Sequence, residues 1–141
     1  MAEEPNSVAA WPKEHVPDED VLFLRVHQNY LRGRPVLIPP GVIPPGVFTN
    51  KPTPTDGMST NWKKYCSTAA EARAKAKEPL KNAVVEAEAG LVRSISSLSV
   101  EHTPTQIDRS HCDVFGEKTT EVRAKLSSIF RWALPLESLS R

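Results

Sequence analysis

Ten of the thirteen prolines in this chain of 141 residues lie before residue 55. Proline lacks a backbone N–H and holds φ near −65°, so it ends helices and is confined to the edges and ends of sheets. The N-terminal third is therefore expected to be an extended, Pro-rich stretch around little regular structure, with the folded mass in the C-terminal two thirds. The length suits one domain with a modest core. The expected organisation is a flexible arm over 1–19 with Trp11 as its pin to the body, a single α+β domain over 20–135, and a tail over 136–141.

Ile-Pro-Pro-Gly-Val occurs twice in succession, at 38–42 and 43–47. Pro-Pro-Gly suits a type II turn, which wants positive φ at the glycine. Five residues added inside a strand or helix would turn every later side chain to another face, whereas each doubling of a loop costs only about 0.6 kcal/mol. The repeat is thus expected to be an expanded surface loop within a Pro-rich segment over 38–56. Its P-x-x-P spacing is poor for an aromatic groove.

The regular elements follow from periodicity. "DVLFLRV" at 20–26 is a short, continuous apolar run and predicts a buried strand. "MSTNW" after the Asp56-Gly57 turn signal predicts another. "STAAEARAKAKEP" predicts a helix that starts on the Thr68-to-Glu71 capping-box spacing and stops at Pro79, with only alanine on its apolar face. Ala83 to Glu86 reads as a strand, Gly90 to Ile95 as a short helical turn, "LSVEHTP" as an edge strand, and "SHCDVFG" as a strand stopped by Gly116. The final "EKTTEVRAKLSSIFRWAL" spaces Val122, Leu126, Ile129, Phe130 and Ala133 for one amphipathic helix ended by Pro135. The expected fold is α+β: a small mixed sheet with helices packed on one side.

A formal charge of +1 gives no net field toward nucleic acid or anionic lipid. No apolar run reaches the roughly 18 to 20 residues of a membrane span, and the first twenty residues lack the pattern of a signal peptide. A cytoplasmic location is expected, with Cys66 and Cys112 as free thiols.

Few residues offer chemistry. His27, His102 and His111 each fall at or beside a predicted strand end, and Cys112 adjoins His111. With Cys66 they make a four-ligand set, but no C-x-x-C or H-x-x-x-H pair is present and strand alternation points His111 and Cys112 apart, so no metal is expected. Ser59 or Cys112 with a histidine is a candidate nucleophilic dyad, although nothing like G-x-S-x-G surrounds Ser59. "WKKYC" and the following basic helix bring Trp62, Lys63, Lys64 and Tyr65 together with Arg73, Lys75, Lys77 and Lys81, a pattern that suits single-stranded nucleic acid but is also that of a solvated helix face.

Two resemblances extend this reading. The order of Arg25 and His27 on the first strand, then Ser59 and Thr60 ahead of Tyr65, then Glu101 as the acid, resembles the dinucleotide pocket of ADP-ribosyltransferases. "DVLFLRVHQNYL", "PPGVFTN", "DGMSTNWKKY", "AVVEAEAGLVRSI", "LSVEHTP" and "SHCDVFG" together resemble, over about 20–134, a widespread set of small bacterial proteins of unassigned function. In that set a Leu-x-Arg-x-His start leads through Gly-x-Ser to a late His-x-x-x-x-Gly strand; here Phe23 stands at the leucine position, and five extra residues fall within 38–47. This second resemblance implies a bacterial or phage source and a protein partner from the same operon, and assigns no catalytic residue.

The sequence expectation is accordingly an interaction or accessory module that uses the terminal helix or the proline loop, with cofactors undetermined. The rival is an enzyme acting on a nucleotide through His27, Ser59 and His111, with Arg25 as a binding residue. A third reading is a nucleic-acid binder through Trp62 to Lys81. Convergence of the strand-end polar residues in one cleft would favour the enzyme.

Overall fold

A computed structural model describes residues 11–31, 42–52 and 56–136. Strands β1 (Val21–His27), β2 (Gly57–Trp62), β3 (Asn82–Glu88), β4 (Ser99–His102), β5 (His111–Phe115) and β6 (Arg131–Leu134) form one open sheet in the order β4-β5-β2-β1-β3-β6. Helices α1 (Ala69–Ala74), α2 (Ala89–Arg93) and α3 (Thr120–Ile129) complete a small α+β fold. Among the described residues no helix is long and apolar enough to cross a membrane.

Every neighbouring pair of strands is antiparallel, so the expected mixed sheet is corrected. The strand–helix–strand pattern of β2, α1 and β3 does join two parallel strands, but β1 lies between them and is antiparallel to both. Helix α1 crosses over β1 to make that connection, and it packs mainly on β1 and β3 and also touches β6. That crossing corrects a second expectation, because the helices do not share one side. Ala72 of α1 packs with Phe23, Val84 and Cys66 on one face of the sheet. Leu22, Leu24, Val26, Met58, Trp62, Val85 and Val114 face the opposite, larger core, which Val92 of α2 and Leu126 of α3 close. An all-alanine helix face suits the thin side, since it lets the backbone approach the sheet closely.

Local signals hold well at helix starts. Thr68 caps α1 by accepting from the Glu71 N–H at 3.1 Å, and Glu71 reaches back to the Ser67 N–H at 3.2 Å. Thr119 caps α3 the same way, accepting from the Val122 N–H. Helix ends hold less well. Helix α1 stops at Ala74, before Pro79, and α3 stops at Ile129 because Phe130 turns extended with ψ 151°. Arg131–Leu134 then pairs with the open edge of β3, and Arg131 binds Glu86 and Glu88 at 2.8 and 2.7 Å. The helical spacing up to Phe130 was genuine; beyond it, an unpaired strand edge offers backbone partners that a helix end does not.

The duplicated pentapeptide is described only in part. Its first copy, apart from Val42, lies outside the described residues. In the second copy Pro45–Val47 forms a 3-10 turn closed by the Val47 N–H to Pro44 carbonyl bond, and Gly46 does not take positive φ. Ile43, Val47 and Phe48 are buried in the larger core, with the Phe48 ring 5.1 Å from Phe130. The Ser127 hydroxyl donates to the Ile43 carbonyl. This copy is thus a core-packed anchor for α3 and not a free surface loop. Residues 11 to 20, which run into β1, lie along the body: Val16 is buried and the Glu14 N–H donates to His102 Nδ1 at 3.0 Å.

Gly116 ends β5 with φ +127°, a region L side chains rarely enter, and a Cβ there would lie 2.5 Å from the Ser97 carbonyl. Gly116→Ala is therefore expected to lower stability by at least about 2 kcal/mol, read as a lower urea midpoint at unchanged slope.

Candidate functional site

Strands β1 and β2 pair at Leu22–Trp62 and Phe23–Asn61 and then part, whereas β1 and β3 stay paired over seven positions. Paired strands lie about 4.8 Å apart with their backbone groups satisfied; strands that part leave those groups to water or a ligand. The opening is a cleft of about 390 Å³. Leu24, Arg25 and His27 line it from β1, and Met58, Ser59 and Asn61 from β2, with Val47 and residues 49 to 52 as a strap along its rim.

The strap is tied to β5. Lys51 Nζ lies 2.6 Å from Asp113 Oδ1, and the Asn50 amide donates to the Gly116 carbonyl at 3.3 Å. Buried Lys118 points its ammonium into a ring of oxygens: Asn50 Oδ1 at 2.6 Å and the Gly116, Val114 and Asp56 carbonyls at 2.5, 3.1 and 3.4 Å. Burial pushes its pKa down to about 8 against the pull of Asp56 and Asp113. An ammonium surrounded by carbonyls is held as a structural cation, one that joins strap, β5 and the start of α3.

Behind Ser59 stands a hydrogen-bonded relay. Ser59 Oγ lies 3.2 Å from His111 Nε2, and His111 Nδ1 lies 2.9 Å from the Thr103 carbonyl and 3.0 Å from Thr103 Oγ1. A carbonyl only accepts, so the proton sits on Nδ1, and Nε2 presents its lone pair to the serine hydroxyl. Thr103 Oγ1 in turn donates to Asp113 Oδ2 at 3.0 Å. This is the arrangement of a nucleophile, a base and an orienting group.

The cleft brings together Arg25, His27 and Ser59, and through Ser59 reaches His111. His27 is otherwise engaged: its Nδ1 caps the turn at Gln28–Tyr30 by accepting from the Asn29 N–H, and its Nε2 lies 3.6 Å from Glu78. Arg25 Nη1 donates to the Ala72 carbonyl at 3.3 Å, and burial lowers its pKa against the pull of Asp108. Asn61 bridges Asp108 and Ser110. Burial alone would raise the Asp108 carboxyl, but the Ser110 hydroxyl and Lys75 hold it below its usual value.

Other candidate residues lie elsewhere. Thr60 points to the opposite face and donates to the Cys112 carbonyl, and Glu101, on edge strand β4, does not line the cleft. Trp62 is buried in the core with its indole N–H on Asp20, which leaves no ring face for a base. Tyr65 and Lys64 both bind Glu14, Arg109 lies 4.2 Å over the Tyr65 ring, and Lys63 is exposed. His102 is buried between the Glu14 N–H and the Arg109 carbonyl. Among the described residues no group of three or more His, Cys, Asp or Glu side chains is placed to hold a metal ion. Thr103, Asp113 and Lys51 were not singled out in the sequence. Asp113 had a signal, since two-residue alternation on β5 puts it on the face of His111.

No protein-family model, curated protein or solved structure matches this chain.

The cysteines are poor nucleophiles. Burial raises the Cys66 thiol to about 11 and the Cys112 thiol to about 12. Raised values keep both protonated at pH 8, where an ordinary thiol with pKa about 8.5 is already part thiolate. Labelling by a disulfide reagent at pH 8 is expected to be at least about 100-fold slower in the native protein than in urea, for both cysteines.

Proposed function

We propose that this chain is a small enzyme in which Ser59 attacks an acyl substrate bound in the cleft between β1 and β2. The observation that supports this reading is the Ser59–His111–Thr103 relay, which ends at the wall of the cleft. His111 Nε2 takes the hydroxyl proton as Ser59 Oγ bonds to the acyl carbon, then passes it to the departing oxygen or nitrogen as that bond breaks. Water next attacks the acyl-serine, with His111 accepting its proton and returning it to Ser59. Thr103 is a positioning residue: its carbonyl fixes which imidazole nitrogen faces the serine.

The competing readings have less behind them. An ADP-ribosyltransferase-like pocket keeps Arg25, His27 and Ser59 in the cleft, but Thr60 and Glu101 stand outside its lining. A nucleic-acid binder loses its central stacking residue with Trp62 buried. A partner-binding accessory module was expected to use the proline loop or the terminal helix, yet Ile43, Val47 and Phe48 are packed into the core beside α3. Among the described residues, the exposed large apolar side chains Tyr30, Val42, Leu80, Leu91 and Ile107 sit on five separate segments.

A fluorophosphonate probe tests the proposal. It should add one phosphonyl group to the native protein, mapped to Ser59 by peptide mass. Ser59→Ala should abolish the adduct, and His111→Gln should slow it at least about 100-fold with the fold intact by circular dichroism. Equal labelling of Ser59→Ala, or a rate insensitive to His111→Gln, would sink the assignment.

A further inference from the structure

The charges around the cleft are unevenly matched. Asp113 is paired with Lys51, Asp108 with Lys75, and Glu78 with Lys81. Arg25 has no such close partner: among the described residues no carboxylate lies within ion-pair distance of its guanidinium, Asp108 acts on it only from farther off, and Nη1 donates to the Ala72 carbonyl. A half-buried guanidinium with a single backbone acceptor leaves most of its N–H donors for something else, and a planar oxyanion takes two of them at once.

Its position gives that surplus charge a purpose. Continuing the register of Leu22–Trp62 and Phe23–Asn61 past the point where the strands part sets Arg25 across from Ser59. Strand alternation sends both side chains to the same face of the sheet, the face that also carries His111 across from Asn61. Arg25 and Ser59 thus both line one opening, from the two strands that part around it.

We infer that Arg25 seats an anionic group of the substrate, a carboxylate or a phosphate, and so holds a nearby acyl carbon against Ser59. The inference rests on the acyl-transfer reading above and adds the substrate class to it: a small acid whose charged group lies a few bonds from an ester, thioester or amide. Charge and fork geometry both matter, so lysine is an incomplete replacement.

Protection against the fluorophosphonate probe is the test. Inorganic phosphate and succinate are titrated as competitors at constant ionic strength, with sodium chloride as the control for screening and dimethyl succinate as the neutral analogue. At least one of the two anions should slow labelling of Ser59 saturably, while the neutral diester and chloride do not. Arg25→Gln should raise the half-protecting concentration of that anion at least tenfold, and Arg25→Lys should fall between. Protection by phosphate alone or by succinate alone tells which oxyanion is preferred.

If the native protein takes no probe at all, the acyl-transfer reading fails. Isothermal titration calorimetry with the same anions on the native protein and both Arg25 variants then decides the anion subsite independently. Protection or binding equal in the native protein and Arg25→Gln, with both folded by thermal melt, would overturn the inference. So would labelling that neither anion slows.

Discussion

The contact between β1 and β2 is the constraint on which the site depends. Two pairs hold the strands together at one end, where the Trp62 N–H also reaches the Ser110 carbonyl and the Lys63 N–H reaches the Val21 carbonyl. Trp62 itself is wedged in the core, its indole N–H on Asp20 and its ring against His102 and Tyr65. That end is fixed by large-area burial and by hydrogen bonds at once. At the other end the strands are free to separate because each has a second neighbour: β3 runs the length of β1, and β5 runs the length of β2. A sheet opened in its middle keeps its integrity here through its flanks.

The two faces of the sheet divide the work of folding and of chemistry. The larger core gathers nearly all the long aliphatic side chains and four of the connecting segments. The α1 face carries a small apolar patch around Phe23 and then turns polar, with Arg25, Ser59, Asn61, His111 and Asp113 on neighbouring strands. On this face Arg25, Ser59 and His111 stay half-buried while Asn61 and Asp113 are buried, and strand alternation fixes the direction of each. A small domain has too little core to enclose a site on every side, and here one wall is left open.

Much of this was legible in the chain. A continuous apolar run gave β1, capping-box spacing gave the start of α1, apolar spacing gave α3, and Ser59 and His111 were marked by their places on predicted strands. What escaped has physical causes. The strand at Arg131–Leu134 depends on an edge of β3 left open about fifty residues earlier, which no local pattern records. The relay depends on register: Ser59 stands opposite Asp113, so His111 meets it diagonally across the ladder, and Thr103 joins only because the β4–β5 turn folds back. The thin α1 face was invisible because alanine spacing fits both a buried and an exposed helix.

The proline repeat acquires a different meaning once its second copy is seen to be packed. Ile43 and Val47 enter the core four residues apart, immediately ahead of Phe48. The preceding copy has isoleucine and valine at the same spacing. A five-residue deletion in this tract would leave the same pentapeptide abutting Phe48, with the same two anchors in the same places. The chain can thus change length here in whole units of the repeat without any change in what α3 meets, so variation in the reach of this loop is uncoupled from the packing of the domain.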